Sequence, residues 1–455
     1  MSKKRIVPML MASAAIFGAT ELSASGFAII ENSASGMGNS FAGGAAIADD
    51  ASTIWFNPAG MTRLDNEMLA AVHIIMPEAD YTDTGSTSAL GGSLDPSNTD
   101  RSGGAGRHAL VPNFYWVMEL QKDLKLGLGI NAPFGLATEY EDDWVGRYHA
   151  VLSDTKTLNI NPSIAYKMGN LSLGFGVSAQ YIDVNLTSAI DLGSACVGAE
   201  LVNQLPPGTC AAVGATPQGK DGFADLEADG WAYNWNVGVL FEISDDARVG
   251  FSYRSGMDHE VDGNADFTVP GDVSFLTASG NFVDTTLSAA VTLPSITSLS
   301  YFQNINEKIA LMADYSVTSW SDFEELRIEY DSVQADTATT EDWEDSARIS
   351  LGMNYRASEK WLYRFGVALD ETPIPSPERT TPRIPGNDRT WISFGVTHQI
   401  DKDRSFSVGF AHLIIDDTDI NNTYEAPTAP VLEHTLKGTY EASVNILSAQ
   451  VRWKY

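Results

Sequence analysis

The sequence predicts an all-β protein, a 14-stranded antiparallel transmembrane β-barrel with an amino-terminal plug inside its lumen. Three observations support this fold. Most of the chain after residue 65 alternates between apolar and polar side chains, as strands do when they face lipid on one side and a polar lumen on the other. The connections between these segments are short and long in turn, and residues 26–64 fit neither a helix nor a strand.

Residues 1–25 are predicted to be a secretory signal peptide. Basic residues at 3–5 precede an apolar run over about 6–19, and small residues at 23–25 supply a cleavage site. The run is shorter than the roughly 20 residues that a membrane-spanning helix needs. We therefore expect the mature chain to be exported.

Residues 26–64 are predicted to form the plug, or hatch, and residues 65–455 the barrel. The plug is rich in Gly, Ala and Ser, and irregular backbone at membrane depth is tolerated only inside protein or against a water-filled cavity. Ile54 and Phe56 lead into the triplet Asn57-Pro58-Ala59, which can fix a tight turn. This bend either has a purely structural role or, with its apolar neighbours, bounds a ligand pocket.

The fifth strand illustrates the predicted alternation. Leu173 and Phe175 face lipid, whereas Ser172 and Gly174 face the lumen, where small and polar side chains are expected. Fourteen segments share this pattern. They span about 66–81, 108–121, 124–140, 155–168, 171–189, 229–243, 247–263, 281–303, 308–329, 344–356, 360–371, 389–400, 404–415 and 438–455.

The connections between these strands predict the location of the protein. They alternate between turns as short as 122–123 and loops as long as 190–228. This asymmetry is typical of Gram-negative outer-membrane barrels, in which the short turns and both chain ends face the periplasm. The last strand ends with Val451, Trp453 and Tyr455, which resembles the terminal aromatic signal of such barrels.

Charge and cysteine content narrow the function further. The chain has 28 Lys and Arg against 59 Asp and Glu, a net charge of −31, which argues against nucleic acid as a partner. Cys196 and Cys210 are its two cysteines, and in an exported loop we expect them to form a disulfide. That loop contains no histidine, so it does not offer a metal site.

Enzyme motifs are absent from the sequence. It has no GxSxG, no HExxH and no Walker-type loop, so we predict a non-enzymatic protein without a cofactor. An outer-membrane hydrolase would need a converging catalytic site, and an adhesin would need no plug. These two classes are the weaker alternatives.

Several motifs resemble one family, the outer-membrane long-chain fatty acid transporters of the OmpP1/FadL/TodX type. The resemblance implies a barrel blocked by its amino-terminal hatch, a ligand groove between outer loops, a deeper apolar pocket and a kinked third strand that opens the wall. The matching motifs are Ala48-Asp49-Asp50-Ala51, Asn57-Pro58-Ala59, Phe134-Gly135-Leu136-Ala137-Thr138-Glu139-Tyr140, Ser319-Trp320-Ser321 and Pro373-Ile374-Pro375.

The third strand contains a local reason for such a kink. Pro133 cannot donate a hydrogen bond, and Gly135, after Phe134, weakens the strand and permits a bulge. We expect a hole in the barrel wall at this position. The alternative is that the break only relieves the curvature of the barrel.

One departure from the family concerns the residues that hold a carboxylate. Glu344 stands where the resemblance implies a base, and we expect it to repel an acidic ligand in the lumen. The alternation of strands ten and eleven places Arg348 and Arg364 on the lumen face. These arginines either bind a carboxylate or neutralise an acidic wall.

The sequence therefore predicts a monomeric outer-membrane channel for the passive uptake of hydrophobic compounds, most consistent with long-chain fatty acids. Neutral hydrocarbons, either alkanes or monoaromatics, are the alternative substrates. The expected partners are the hydrophobic small molecule, outer-membrane lipid and lipopolysaccharide. Lateral release through the third strand is the predicted exit.

Overall fold

The strands close on themselves in a computed structural model that describes residues 26–94, 103–426 and 430–455. The predicted signal peptide lies outside these residues. Each barrel strand pairs antiparallel with its neighbours in sequence, and the last strand pairs with the first from Glu67↔Lys454 to Asp83↔Gly438. The result is a closed barrel of fourteen strands, as predicted.

The barrel strands are numbered β1 to β14 in chain order. Several have a separate outer part toward the long loops, which continues the same ladder. The strands are β1 Glu67–Asp83, β2 Ala109–Gln121, β3 Leu124–Asn131 and Gly135–Glu139, β4 Leu152–Met168, β5 Leu171–Asp191, β6 Asp221–Glu242, β7 Ala247–Arg254 and Met257–Thr268, β8 Thr285–Leu293 and Ile296–Asn304, β9 Ile309–Thr318, β10 Ser346–Arg356, β11 Trp361–Asp370, β12 Arg389–Gln399, β13 Arg404–Ile415 and β14 Thr435–Lys454.

Three short strands lie outside this ring. Glu325–Tyr330 and Thr337–Thr340 form a hairpin in the outer loop between β9 and β10, and Thr418–Thr423 pairs with the outer end of β14. The hairpin also pairs with the outer part of β8. It therefore extends the barrel wall on the side of the long loops.

The predicted alternation of β5 is present in the structure. Leu173 and Phe175 are 41% and 46% exposed on the outer face, whereas Ser172 and Gln180 are buried on the lumen face. Apolar side chains that face outward bury their surface against lipid instead of a protein core. The two faces of the strand are therefore those that the sequence predicts.

The outer loop predicted over 190–228 is shorter than expected. β5 and β6 continue to pair as far as Asp191↔Asp221, because their ladder extends beyond the lipid-facing part of the barrel. The remaining loop holds two helices, α1 (Leu192–Leu201) and α2 (Thr209–Ala212). A disulfide joins Cys196 in the first to Cys210 in the second.

The segment 26–64 packs against the inner face of the barrel. A Cβ atom at Gly238 on β6 would lie 1.9 Å from Oδ1 of Asn57, and one at Gly366 on β11 would lie 2.0 Å from the carbonyl carbon of Asn39. Glycine on these strands therefore lets the segment approach separate sides of the lumen. Its helical turns are Ala34–Met37, Gly44–Ile47, Thr53–Phe56 and Pro58–Arg63.

Among the described residues, no helix has the length and apolar character needed to cross a membrane.

Candidate transport path

A narrow apolar cavity, the central pocket, lies in the outer half of the barrel and has a volume of about 90 Å³. Aliphatic side chains from β5 to β8 form most of its wall, which suits a ligand with a hydrocarbon chain. Two charged side chains, Glu341 and Arg383, also line it. The aliphatic wall residues include Ile182, Val184, Leu226, Val261, Leu287 and Val291.

Phe27, near the start of the amino-terminal segment, forms one end of the central pocket. Its ring lies 5.0 Å from the ring of Trp320 and 5.9 Å from that of Phe134, measured between centroids. Phe323 and Trp343 complete this buried aromatic cluster. Phe27 is thus held mainly by apolar contacts with the outer loops and with β3.

The charged end of the central pocket combines one acid and one base. Glu341 is only 4% exposed, and its Oε2 atom has no hydrogen-bond partner among the described residues. Burial raises the pKa of this carboxyl to about 8. Arg383 Nη1 donates to the carbonyl of Leu152 at 3.0 Å and to Oγ of Ser153 at 2.9 Å, which fixes the guanidinium in the pocket wall.

A second cavity, the outer vestibule, has a volume of about 130 Å³ and connects the central pocket to the long loops. The two cavities share Leu226, Ile328 and the charged pair of Glu341 and Arg383. Polar side chains make up much of the remaining wall, so the vestibule is suited to receiving ligand from water. They include Tyr148, His149, Asp191, Gln334, Asn422 and His434.

A third cavity, the wall opening, lies between β2 and β3 and has a volume of about 500 Å³. The pairing of these strands ends at Phe114↔Ile130, so residues 109–113 of β2 pair with β1 alone. Leu110 in this stretch is 68% exposed. Phe27 and Leu136 line both this cavity and the central pocket, so the two spaces meet at those side chains.

The break in β3 is filled by the amino-terminal segment. The strand stops at residue 131 and resumes at Gly135. Ile29 N donates to the carbonyl of Pro133 at 2.8 Å, and Gly135 N donates to the carbonyl of Phe27 at 3.0 Å. Phe134 N donates to Oγ1 of Thr157 at 3.0 Å. The backbone groups that lose strand partners at the break are therefore satisfied by residues 27–29 and by a β4 side chain.

The Asn57-Pro58-Ala59 turn of the plug lies away from the central pocket. Asn57 Nδ2 donates to the carbonyls of Ala45 at 2.6 Å and Val239 at 3.0 Å, and its Oδ1 accepts from Ala59 N at 3.0 Å. Together with Pro58, which begins the next helical turn, Asn57 ties the plug to β6. Of the described cavities, none is lined by this triplet.

Ile54 and Phe56, the two apolar residues before that turn, lie in different surroundings. Ile54 is fully buried in a cluster with Met61, Leu69 and Tyr115, at the base of β1 and β2. Phe56 lines a separate space beneath the amino-terminal stretch, with Phe41 beside it at 5.7 Å between ring centroids. Neither lines the central pocket.

Arg348 and Arg364 face the lumen, but both contact the plug. Arg348 Nη2 donates to the carbonyl of Ser40 at 2.8 Å, and Arg364 Nη2 lies 2.6 Å from Oδ2 of Asp49. Neither lines the central pocket or the wall opening. The structure thus gives these two arginines a role in holding the plug, because they lie at the level of its helical turns.

Glu344 requires a correction, because the structure places it on the exposed surface and not in the lumen. The buried acid of this loop is Glu341, and the base beside it is Arg383, which the sequence reading missed. Arg383 follows the Pro-rich start of the outer loop before β12, and Pro382-Arg383 was the available signal. That dipeptide does not predict that the loop folds into the lumen.

A closed barrel with an apolar outer face, and with connected cavities above an internal plug, defines a channel-type transport protein of the outer membrane. Residues 15–455 match the family described as "Outer membrane protein transport protein (OMPP1/FadL/TodX)". The chain belongs to this family, whose members are transport proteins and not enzymes, and its outer-membrane location is confirmed.

Two individual relatives are similar in sequence to this chain over most of its length. It is 30% identical over 402 residues to the long-chain fatty acid transport protein of Escherichia coli O6:H1, covering 87% of this chain and 88% of that protein. It is 29% identical to outer membrane protein P1 of Haemophilus influenzae, covering 90% of each.

Solved structures show the same fold. A crystal structure of a Pseudomonas aeruginosa FadL homologue matches with a TM-score of 0.84 at 20% identity, over 94% of this chain and 100% of that one. The Pseudomonas putida toluene transporter TodX matches with a TM-score of 0.60 at 15% identity, over 89% and 95%.

Proposed function

We propose that this protein takes up long-chain fatty acids passively and releases them sideways through the wall opening. The observation that carries this proposal is the continuity of the three cavities. The outer vestibule shares Leu226 and Ile328 with the central pocket, and the central pocket shares Phe27 and Leu136 with the wall opening. A ligand that moves along them stays against apolar side chains for most of the way.

The contacts toward the periplasm and toward the barrel wall both favour lateral exit. Toward the periplasm, the lumen is filled by the plug, which hydrogen bonds join to the barrel. Sideways, Phe27 separates the central pocket from the wall opening, and it is held by aromatic contacts and by one backbone bond from Gly135. A shift of residues 26–29 would join the two cavities without displacing the rest of the plug.

The polar end of the central pocket supports an amphiphile as the substrate. A neutral hydrocarbon would leave Oε2 of Glu341 without a hydrogen-bond partner, and unsatisfied buried polar groups are costly. The name of the 30% identical relative also supports fatty acids. Alkanes or monoaromatics remain the second candidate, favoured by the otherwise apolar lining of the pocket.

Transport of this kind needs no energy source and no second subunit. For an apolar solute the polar lipopolysaccharide layer is the barrier, and an apolar path through one barrel crosses it. We propose that the protein acts as a monomer surrounded by outer-membrane lipid.

Growth on single carbon sources tests the substrate. The chain would be expressed in a Gram-negative host that lacks its own outer-membrane fatty acid channel, with the empty vector as control. We expect growth on oleate to be restored, but not growth on hexadecane or toluene. Growth on hexadecane or toluene without oleate would support the second candidate, and no growth despite an assembled barrel would overturn the transport proposal.

A further inference from the structure

Glu341 is the least expected group in the central pocket. An acid at the polar end of a fatty acid site would repel the carboxylate of its own substrate if both were ionised. Yet the Glu341 side chain is nine-tenths buried, it lines both the central pocket and the outer vestibule, and its Oε2 atom has no hydrogen-bond partner among the described residues. The indole of Trp343 lies near this carboxyl and lowers its pKa, but Trp343 Nε1 and Glu341 Oε2 both lack a hydrogen-bond partner among the described residues, so a ligand can supply one.

Arg383 is the base that lies against the same space. It is the only basic side chain among the described residues that line the central pocket. Its Nη1 atom donates hydrogen bonds to the carbonyl of Leu152 and to Oγ of Ser153. Its Nη2 atom lies 3.5 Å from the carbonyl of Thr187, which is a long hydrogen bond. The guanidinium therefore keeps donor capacity for a ligand.

The other charged groups near Glu341 are already matched. Arg379 lies 2.7 Å from Asp342 and 3.6 Å from Glu425, so its charge is balanced on the surface of the loop. Tyr330 and Tyr424 face Arg383, and burial raises the pKa of both phenols, which keeps them neutral. The polar end of the pocket is therefore governed by one acid and one base.

We propose that Glu341 and Arg383 form a head-group site for an anionic amphiphile, and that Glu341 holds a proton when the anion is bound. This inference rests on the proposed function and names its chemistry. The guanidinium pairs with the anionic head, and the neutral carboxyl of Glu341 donates a hydrogen bond to it. When Glu341 starts out ionised, the proton comes from solvent, so anion binding takes up one proton.

The sign of the pH dependence follows from this scheme. Burial raises the pKa of Glu341 to about 8 in the empty site, so below that pH the acid is neutral and the site carries the charge of Arg383 alone. Above it, Glu341 becomes negative and opposes an anionic head. Affinity for the anion should therefore be constant at low pH and fall as pH rises through the pKa of Glu341.

Dodecanesulfonate is the appropriate probe because its charge does not change over the pH range of the test. Its dissociation constant would be measured by calorimetry on the full-length mature protein in lipid nanodiscs, with empty nanodiscs subtracted. We expect the constant of the wild type to rise roughly 25-fold between about pH 7.5 and about pH 9.5. Dodecanol, which is neutral, should show no such rise.

Two matched substitutions locate the effect. Glu341→Gln should lose nearly all of this pH dependence, because the amide cannot ionise. A small fall in affinity toward the upper end of the range is expected, because burial lowers the pKa of Arg383 to about 10. Glu344→Gln removes an exposed acid three positions away and should keep the full pH dependence of the wild type. Arg383→Gln should weaken the binding of dodecanesulfonate at every pH and leave the binding of dodecanol unchanged.

The outcomes separate the inference from the function on which it rests. A pH dependence of wild-type size in Glu341→Gln, or tight dodecanol binding without dodecanesulfonate binding, would overturn the head-group site while leaving hydrophobic transport intact. If neither dodecanesulfonate nor dodecanol binds to the wild type, the proposed function itself would be overturned. Proton uptake by the wild type, measured in buffers of different ionisation enthalpy, provides a check that does not depend on any variant.

Discussion

The inner and outer halves of the lumen are held together by different forces. In the inner half, barrel arginines donate to backbone carbonyls of the plug, from Arg248 Nε to Ala46 at 2.6 Å and from Arg452 Nη1 to Asp49 at 2.7 Å. In the outer half, the side chain of Phe27 packs mainly against aromatic rings. Charge-assisted hydrogen bonds are worth roughly 1.5–3 kcal/mol each and lose most of this when the partners part by an ångström or two. Apolar contacts are not directional, so the side chains that make them can shift along one another at a smaller cost.

This difference explains why a single segment can both seal the barrel and open a path. Residues 33–64 are fixed to several strands at once, so moving them requires many bonds to break together. Residues 26–29 have fewer hydrogen bonds, to the carbonyl of Pro133 and the N–H of Gly135 at the break in β3 and from Arg389 Nη2 on β12 to the carbonyl of Gly26 at 3.1 Å. The boundary between the rigid and the movable part lies beside the wall opening.

The largest effect should follow from removing the seal altogether. Deleting residues 26–63 while keeping the signal peptide should leave an assembled barrel, because every strand of the ring lies after residue 66. An empty fourteen-stranded barrel is wide enough for an aqueous channel, so ion conductance in planar bilayers should rise many-fold. Unchanged conductance, with normal heat-modifiable gel migration, would mean that the plug does not block the lumen.

The next effect concerns the wall opening. A Cβ atom at Gly135 would lie 2.7 Å from Cδ1 of Ile29, so the much larger side chain of Gly135→Trp should occupy the space between β3 and the amino-terminal segment. We expect oleate uptake to be lost while the barrel still assembles. Gly271→Trp is the matched control, since no atom lies within 4 Å of the added Cβ in that outer loop.

Wild-type uptake by an assembled Gly135→Trp barrel would show that substrate leaves by another route. Uptake lost equally in Gly271→Trp would show that the assay reports a general effect of the bulky side chain. The comparison is therefore between two glycines that differ in what surrounds them.

A smaller effect should appear when one anchor of the plug is removed. Arg364→Met deletes the ion pair with Asp49 while keeping much of the side-chain volume. Losing one such bond costs about 1.5–3 kcal/mol, which corresponds to roughly tenfold or more frequent opening events in single-channel recordings. Arg327→Met, which removes an exposed pair with Glu325 on the outer hairpin, should leave the recordings unchanged. Equal behaviour of the two variants would argue against arginine anchoring.

The barrel could be predicted from the sequence because its rules are local. Alternation along β5 follows from the geometry of a strand, and the order of short and long connections follows from the membrane. The break at Pro133 and Gly135 was predictable for the same reason, since proline and glycine act on their own strand.

The central pocket was not predictable, because it is made by residues that meet only after loops fold inward. Glu344 and Glu341 are three positions apart, yet one is exposed and the other lines the pocket. Arg383 reaches the same space from a different loop. Arg348 and Arg364 were placed on the correct face by alternation, but that pattern gives no height along the barrel, and at their height the plug is the neighbour.

The smallest effect should come from the disulfide, because neither Cys196 nor Cys210 lines the outer vestibule, the central pocket or the wall opening. In the chain-entropy picture, joining Cys196 and Cys210 across a sequence separation of 14 contributes up to about 3 kcal/mol. The loop has other support, because the buried carboxylate of Asp191 accepts from Ser194 N at 2.8 Å and from Gln218 N at 2.9 Å. The double variant Cys196→Ser and Cys210→Ser should therefore lose hydrogen-exchange protection over 192–220 alone, with conductance and oleate uptake unchanged. Peptide mapping of the non-reduced wild type should show one linked pair, and two alkylatable thiols there would refute the disulfide.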